Sequence, residues 1–172
     1  MADPPPWIVE VIRKAHRRDT FNCGQVALDE FLHRYARQND ELELGRTFVA
    51  ILPGTLRVLG YYTLGAGSTK AEHLPEEERR RLPKYPVPVI HLARLAVDRS
   101  VQNQGLAKYL LTHALRKAWT ASREVAAYAV DVVALDDRAR AFYAKYGFHE
   151  LHDNPLHMYL SMKTIAKLFA TP

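Results

Sequence analysis

Residues 92–107 read Leu92-Ala93-Arg94-Leu95-Ala96-Val97-Asp98-Arg99-Ser100-Val101-Gln102-Asn103-Gln104-Gly105-Leu106-Ala107, and the fold turns on how they divide. Residues 89–97 are nearly continuous in apolar side chains and of strand length, the pattern of a strand buried on both faces. Leu106, Leu110, Leu111, Ala114, Leu115 and Ala118 then recur at three- and four-residue spacing, which predicts a helix with one apolar side. A buried strand thus feeds a short turn that opens directly into a helix. The first turn of such a helix leaves its backbone N–H groups without carbonyl partners and carries the positive end of the helix dipole. Gly105 and Ala107 add little bulk, so an anion can approach those amides closely. A pyrophosphate suits that chemistry; a Gly105 that merely eases a tight turn suits the same residues.

On either side the pattern alternates. Residues 128–135 read as another buried strand, and Asp136 or Asp137 can cap a helix that ends at Gly147. Residues from Phe148 onward and 156–162 supply final strands, with a terminal helix over 164–170. Upstream, residues 7–12 read as a strand followed by a basic stretch from Arg13 to Arg18. A helix follows with Leu28, Phe31, Leu32, Tyr35 and Ala36 on one face. Residues 47–52 and 58–64 read as strands around Pro53-Gly54. Residues 76–81, three glutamates and then three arginines, predict a short, solvated, self-paired helix. Pro83, Pro86 and Pro88 predict an extended loop. Strand and helix in alternation argue for an α/β fold with a mixed central sheet.

Composition sets outer bounds. The 172 residues suit one domain, and 48% hydrophobic residues exclude disorder as the main state. No apolar run approaches the roughly 20 residues that span a bilayer, so no membrane is expected. The start, Met1-Ala2-Asp3-Pro4-Pro5-Pro6, lacks the order of a secretory signal. The single cysteine, Cys23, fits a reducing cytoplasm and has no evident histidine partner that would make it a nucleophile. Lys plus Arg number 24 against 19 Asp plus Glu; the surplus of +5 permits an acidic partner and requires none. No Gly-x-x-x-x-Gly-Lys-Ser/Thr loop is present, which removes the main support for nucleotide triphosphate chemistry. His149-Glu150-x-His152 has the wrong spacing for the helical zinc motif, so no metal is expected.

Gln102-x-x-Gly105-x-Ala107, between a central strand and a helix, resembles the acyl-CoA pyrophosphate loop of the GNAT acetyltransferase superfamily. Ala139-x-x-Phe142-Tyr143-x-x-x-Gly147-Phe148 is similar to that superfamily's C-terminal helix and following strand. Phe21-x-Cys23-Gly24, Leu28-Asp29-x-Phe31-Leu32, residues 45–49, residues 60–64 and Pro88-Val89-Ile90 with residues 92–98 together resemble the GNAT toxins of bacterial type II toxin–antitoxin pairs. The likeness runs from about Phe21 to about Met162.

The resemblance implies one GNAT domain over residues 1–172, an α/β fold with a mixed, mostly antiparallel sheet flanked by helices. It implies acetyl-CoA as co-substrate, bound through the backbone of Leu95, Ala96 and Val97 and through Gln102, Asn103, Gln104, Gly105, Leu106, Ala107 and Lys108, with Phe142 nearby. Tyr143 would be the general acid for the departing thiolate. Arg46 and Arg94 are the candidates for the acceptor end of a tRNA. The implied reaction is acetylation of the α-amino group of aminoacyl-tRNA, which blocks translation. The implied partners are an antitoxin of ribbon-helix-helix type and a second copy of the chain. An N-acetyltransferase of a small amine or a protein N-terminus, or a non-catalytic acyl-CoA-binding module, would carry the same loop. Many GNAT enzymes carry a glutamate base on the central strand, and this strand offers Arg94 and Asp98 instead. A lysine amine, with pKa about 10.4, needs such a base far more than an α-amine near 7.7–8.0. The missing glutamate therefore leans towards an α-amine acceptor.

Overall fold

The computed structural model describes residues 3–170; Met1 and Ala2, which precede the proline run, lie outside it, as do Thr171 and Pro172. Residues 3–65 with 93–114 make one compact unit, and residues 66–92 with 115–170 make another.

In the first unit β1 (Ile8–Val11) pairs antiparallel with β2 (Arg46–Ile51). β2 in turn pairs antiparallel with β3 (Gly60–Thr69), from Arg46↔Leu64 to Ala50↔Gly60. Pro53-Gly54 turns the chain between them, with Thr55 N–H bonded to the Leu52 carbonyl at 3.1 Å. The expected helix forms as α1 (Val26–Glu30), a π-helical segment over Phe31–Tyr35, and α2 (Ala36–Glu41). The wider π turn delays the apolar face. Phe31, Leu32 and Ala36 are buried, whereas Tyr35, expected to point inward, is 46% exposed. Ile12, Phe21, Val49, Val58, Tyr61 and Ala96 complete that core. Phe48 stacks on Tyr62 with ring centres 4.9 Å apart, and the Tyr62 hydroxyl and His113 Nδ1 share a 2.6 Å hydrogen bond.

The second unit contains α3 (Glu76–Arg79), the first part of β4 (Val87–Val97) and the end of α4 (Leu106–Ser122). It continues through β5 (Ala129–Val133), α5 (Asp137–Lys145), β6 (His149–Glu150), β7 (His157–Ser161) and α6 (Met162–Phe169). β4 and β5 run parallel from Val89↔Ala129 to Leu92↔Val132, and β7 is antiparallel to both β5 and β6. The strand order is β1-β2-β3-β4-β5-β7-β6, a seven-stranded sheet. β4 starts before the expected residue 89 and takes in Pro88, whose carbonyl accepts from Tyr128 N–H at 2.8 Å. It is also less buried than its composition suggests, because His91, Ala93, Arg94 and Leu95 stay half-exposed.

Leu74, Val87, Val89, Ala129, Leu151 and Tyr159 form the core on one side of this unit. The glutamate–arginine run departs from the sequence expectation. Arg80 does pair with Glu76 at 2.9 Å, but Glu78 turns inward and accepts the hydroxyl protons of Tyr128 and Tyr159. One carboxylate is thus withdrawn from the arginines, and the run is not wholly self-paired. No helix among the described residues is long and apolar enough to cross a membrane.

Candidate active site

Asp98 ends β4 and organises the turn. Its Oδ1 accepts from Ser100 N–H at 2.9 Å and Ser100 Oγ at 2.7 Å, and its Oδ2 accepts from Asn22 N–H at 2.9 Å. Burial pushes the Asp98 carboxyl up, but these bonds and Arg57 at 3.5 Å outweigh it and hold it below the usual carboxylate range. Gln102 fastens the next residues, its amide donating to the carbonyls of Val97 at 3.0 Å and Cys23 at 3.1 Å. Asn103 and Gly105 both take left-handed backbone angles, φ +62° and +89°. A Cβ on Gly105 would meet nothing within 4 Å, so the space beside this turn is open. The first amide of α4 to find a backbone carbonyl is that of Tyr109, on Gly105 at 3.0 Å. Among the described residues the N–H groups of Gln104, Gly105, Leu106, Ala107 and Lys108 have no backbone acceptor. A row of free amides at the positive end of a 17-residue helix fits a pyrophosphate. Leu95, Ala96 and Val97 precede it on β4, with the Val97 carbonyl already taking one bond from Gln102.

Tyr143 is set by the end of α5. Asp136 caps the start of that helix, accepting from Ala139 N–H at 2.8 Å. At the other end Gly147 adopts φ +96°, Gly147 N–H bonds to Ala144 O at 3.1 Å and Phe148 N–H bonds to Tyr143 O at 3.2 Å. This paired closure is a Schellman motif, which brings the residue after the glycine back onto the last turn. Here Phe148 packs on Tyr143 with ring centres 5.5 Å apart, and Phe142 meets the same ring edge-on at 5.2 Å. The Tyr143 ring is buried, yet its hydroxyl bonds to no group among the described residues. Burial pushes its pKa well up, so the group is a protonated phenol at neutral pH and can donate but not abstract.

The two arginines expected at an acceptor differ. Arg46 is committed to Asp40 at 2.7 Å and Glu43 at 2.7 Å, and would have to leave both to meet a phosphate. Arg94 has no carboxylate partner among the described residues; its guanidinium lies 3.6 Å above the Phe31 ring, a cation–π contact. The basic stretch is partly internal: His16 and Arg13 share Glu10, at 2.6 and 3.4 Å. Burial, assisted by an aspartate hydrogen bond, pushes the Cys23 thiol up to about 11, which keeps it protonated and poorly nucleophilic.

The sequence reading missed a cleft of about 700 Å³ in the second unit, walled by Lys70, Arg79, Arg80, Lys84 and Tyr85 with Glu72. The block of three glutamates and three arginines concealed it, because nothing local in it shows that Glu78 faces inward.

Residues 10–148 match the Acetyltransferase (GNAT) family. The chain belongs to that family. Within the GNAT family it is similar to a tRNA-acetylating toxin of Mycobacterium tuberculosis (strain ATCC 25618 / H37Rv), 40% identical over 144 residues, 84% of this chain and 85% of the relative. A tyrosine-to-phenylalanine variant of KacT superposes with TM-score 0.92 and 32% identity, covering 96% of this chain and all of that one. AtaT complexed with acetyl-methionyl-tRNAfMet superposes with TM-score 0.89 and 30% identity over 95% of this chain and 99% of AtaT. This GNAT chain therefore shares its α/β fold with those proteins.

Proposed function

We propose that the protein transfers acetyl from acetyl-CoA to the α-amino group of an aminoacyl-tRNA and so arrests translation. The row of free amides from Gln104 to Lys108 carries the reading, since it supplies what an acyl-CoA pyrophosphate needs. The M. tuberculosis relative is a tRNA-acetylating toxin, and AtaT is known in complex with an acetylated aminoacyl-tRNA. In this reading the backbone of Leu95 to Val97 pairs with the pantetheine arm, and Phe142 helps to wall the site. Tyr143 gives its phenolic proton to the departing thiolate. At reference pKa values of about 10 and 8.5 that transfer is uphill by about 2 kcal/mol, and burial of Tyr143 widens the gap. The proton therefore moves as the C–S bond breaks rather than before it. Arg94 meets the acceptor end of the tRNA, and the cationic walls of the cleft around Lys84 meet its phosphates.

One GNAT domain acting in the cytoplasm, a homodimer and a ribbon-helix-helix antitoxin complete the proposal. AtaT bound to the C-terminus of its antitoxin AtaR together with acetyl-CoA supports the antitoxin component. Labelled acetyl-CoA incubated with a panel of charged tRNAs tests the substrate. Label in an aminoacyl-tRNA is expected; acetyl-CoA binding with no labelled tRNA would discard that acceptor in favour of a small amine or a protein N-terminus.

A further inference from the structure

Asp131 on β5 is buried, and both of its oxygens are taken. Oδ1 meets His91 Nδ1 at 2.8 Å and Oδ2 meets His157 Nε2 at 2.7 Å. The other nitrogen of His157, Nδ1, meets Asp153 Oδ2 at 2.9 Å. Ionised carboxylates only accept, so an imidazole with both nitrogens on carboxylates carries both protons, and His157 is an imidazolium. Its charge balances Asp131 and fixes that carboxylate in place. His73 closes the chain, 3.9 Å from Asp153.

His91 stands differently. Its Nδ1 donates to Asp131, while its Nε2 has no partner among the described residues and the ring is half-exposed. An imidazole held in this way by a fixed carboxylate keeps its lone pair on Nε2, the form of a proton acceptor. On β3 the residue nearest to His91 is Gly67, which has no side chain to cover it. Ala66, Gly67 and Ser68 are exposed, and a Cβ added at Gly67 would lie 3.6 Å from the His91 Cβ. The β4–β5 ladder ends at Leu92↔Val132, so His91 occupies its last rung but one.

We propose that His91, oriented by Asp131, is the base that frees the acceptor α-amine, a step that rests on the acetyl transfer put forward above. The ammonium proton passes to His91 Nε2, and the freed nitrogen lone pair forms the N–C bond with the acetyl carbonyl. The C–S bond breaks, the Tyr143 proton goes to sulfur, the proton that the acylated nitrogen sheds restores the Tyr143 phenol through water, and His91 returns its own proton to water. The groups facing His91 are Asp131 from β5 and, beyond it, His157 from β7, Asp153 from the preceding loop and His73; Glu78 is occupied by Tyr128 and Tyr159, and β3 presents Gly67.

The test is the rate of acetylation of a charged tRNA from pH 5.5 to 9 for the wild type, His91→Gln and Asp131→Asn, with acetyl-CoA affinity and melting temperature measured alongside. His91→Gln should be about 10- to 100-fold slower below pH 7, the gap closing towards pH 9, with acetyl-CoA affinity unchanged. Asp131→Asn should show the same trend more weakly, and its unchanged size keeps the comparison available if His91→Gln folds poorly. A His91→Gln profile that superimposes on the wild type, or lies below it by one factor at every pH, overturns the proposal. If the wild type acetylates a small primary amine and no charged tRNA, the tRNA reading fails while the same profile on that amine still decides His91. If it acetylates no amine, both fall.

Discussion

Tyr143 shows how one side chain is prepared for a single task. A buried ring between Phe142 and Phe148 keeps the phenol neutral, and a hydroxyl with no partner among the described residues keeps its proton available. Tyr143→Phe removes one oxygen and no packing. It should lower kcat by about 10²- to 10⁴-fold while acetyl-CoA binds as before, which rapid acetylation kinetics and calorimetry would separate. Gly105 is constrained by its backbone alone, since a methyl group there would touch nothing. Gly105→Ala places an L side chain at φ +89°, at a cost of about 1–2 kcal/mol. Where the turn relaxes to avoid that strain the amides lose their aim, and acetyl-CoA affinity should fall about tenfold, with a smaller change in melting temperature.

At the scale of elements, the helix ends and one inward glutamate carry information that propensity does not. α3 is a four-residue helix with no buried residue, too short to persist by itself. Glu78, gripped by two tyrosine hydroxyls, fastens it to the second unit. Glu78→Ala leaves both hydroxyls without their acceptor and should release the segment around residues 70–86 at about 1–3 kcal/mol. Limited proteolysis should then cut between Lys70 and Lys84 well before the remainder of the chain. The π turn at Phe31–Tyr35 makes the complementary point. The three-and-four spacing located the helix and most of its buried face, but one wide turn carried Tyr35 outward and left Phe31 to receive Arg94.

Across the whole molecule, two buried ionic centres shape stability against pH from opposite directions. Asp98 is held below the usual carboxylate range, so its contribution is full above the unfolded value near 3.9 and is lost as pH falls through the folded value. For His157, burial lowers the pKa, but the bonds to Asp131 and Asp153 outweigh it and leave the folded value raised. Its contribution is full below about 6.5 and is lost as pH rises through that folded value. Melting temperature should therefore decline at both ends. Asp98→Asn should flatten the acid limb, and His157→Gln should flatten the alkaline limb while speeding hydrogen exchange over residues 153–161. Charge at this scale also departs from composition. The surplus of +5 is modest, yet four cations and one acid line a single cleft.

The sequence by itself determined the elements and the local chemistry. Residues 102–107 mark the turn, Asp136 and Gly147 bound α5, and the apolar spacing of α4 is fully realised. These features were legible because a turn, a cap and a helix face depend on residues within a few positions of one another. Only the tertiary structure decided where charges go. Asp131 finds His91 across 40 residues and His157 across 26, and Glu78 finds Tyr159 across 81. A buried carboxylate must meet a donor wherever the fold supplies one, and no local pattern records a partner brought in by strand pairing. Arg46 and Arg94 look alike in sequence; the positions of Asp40, Glu43 and Phe31 make one an internal ion pair and leave the other available.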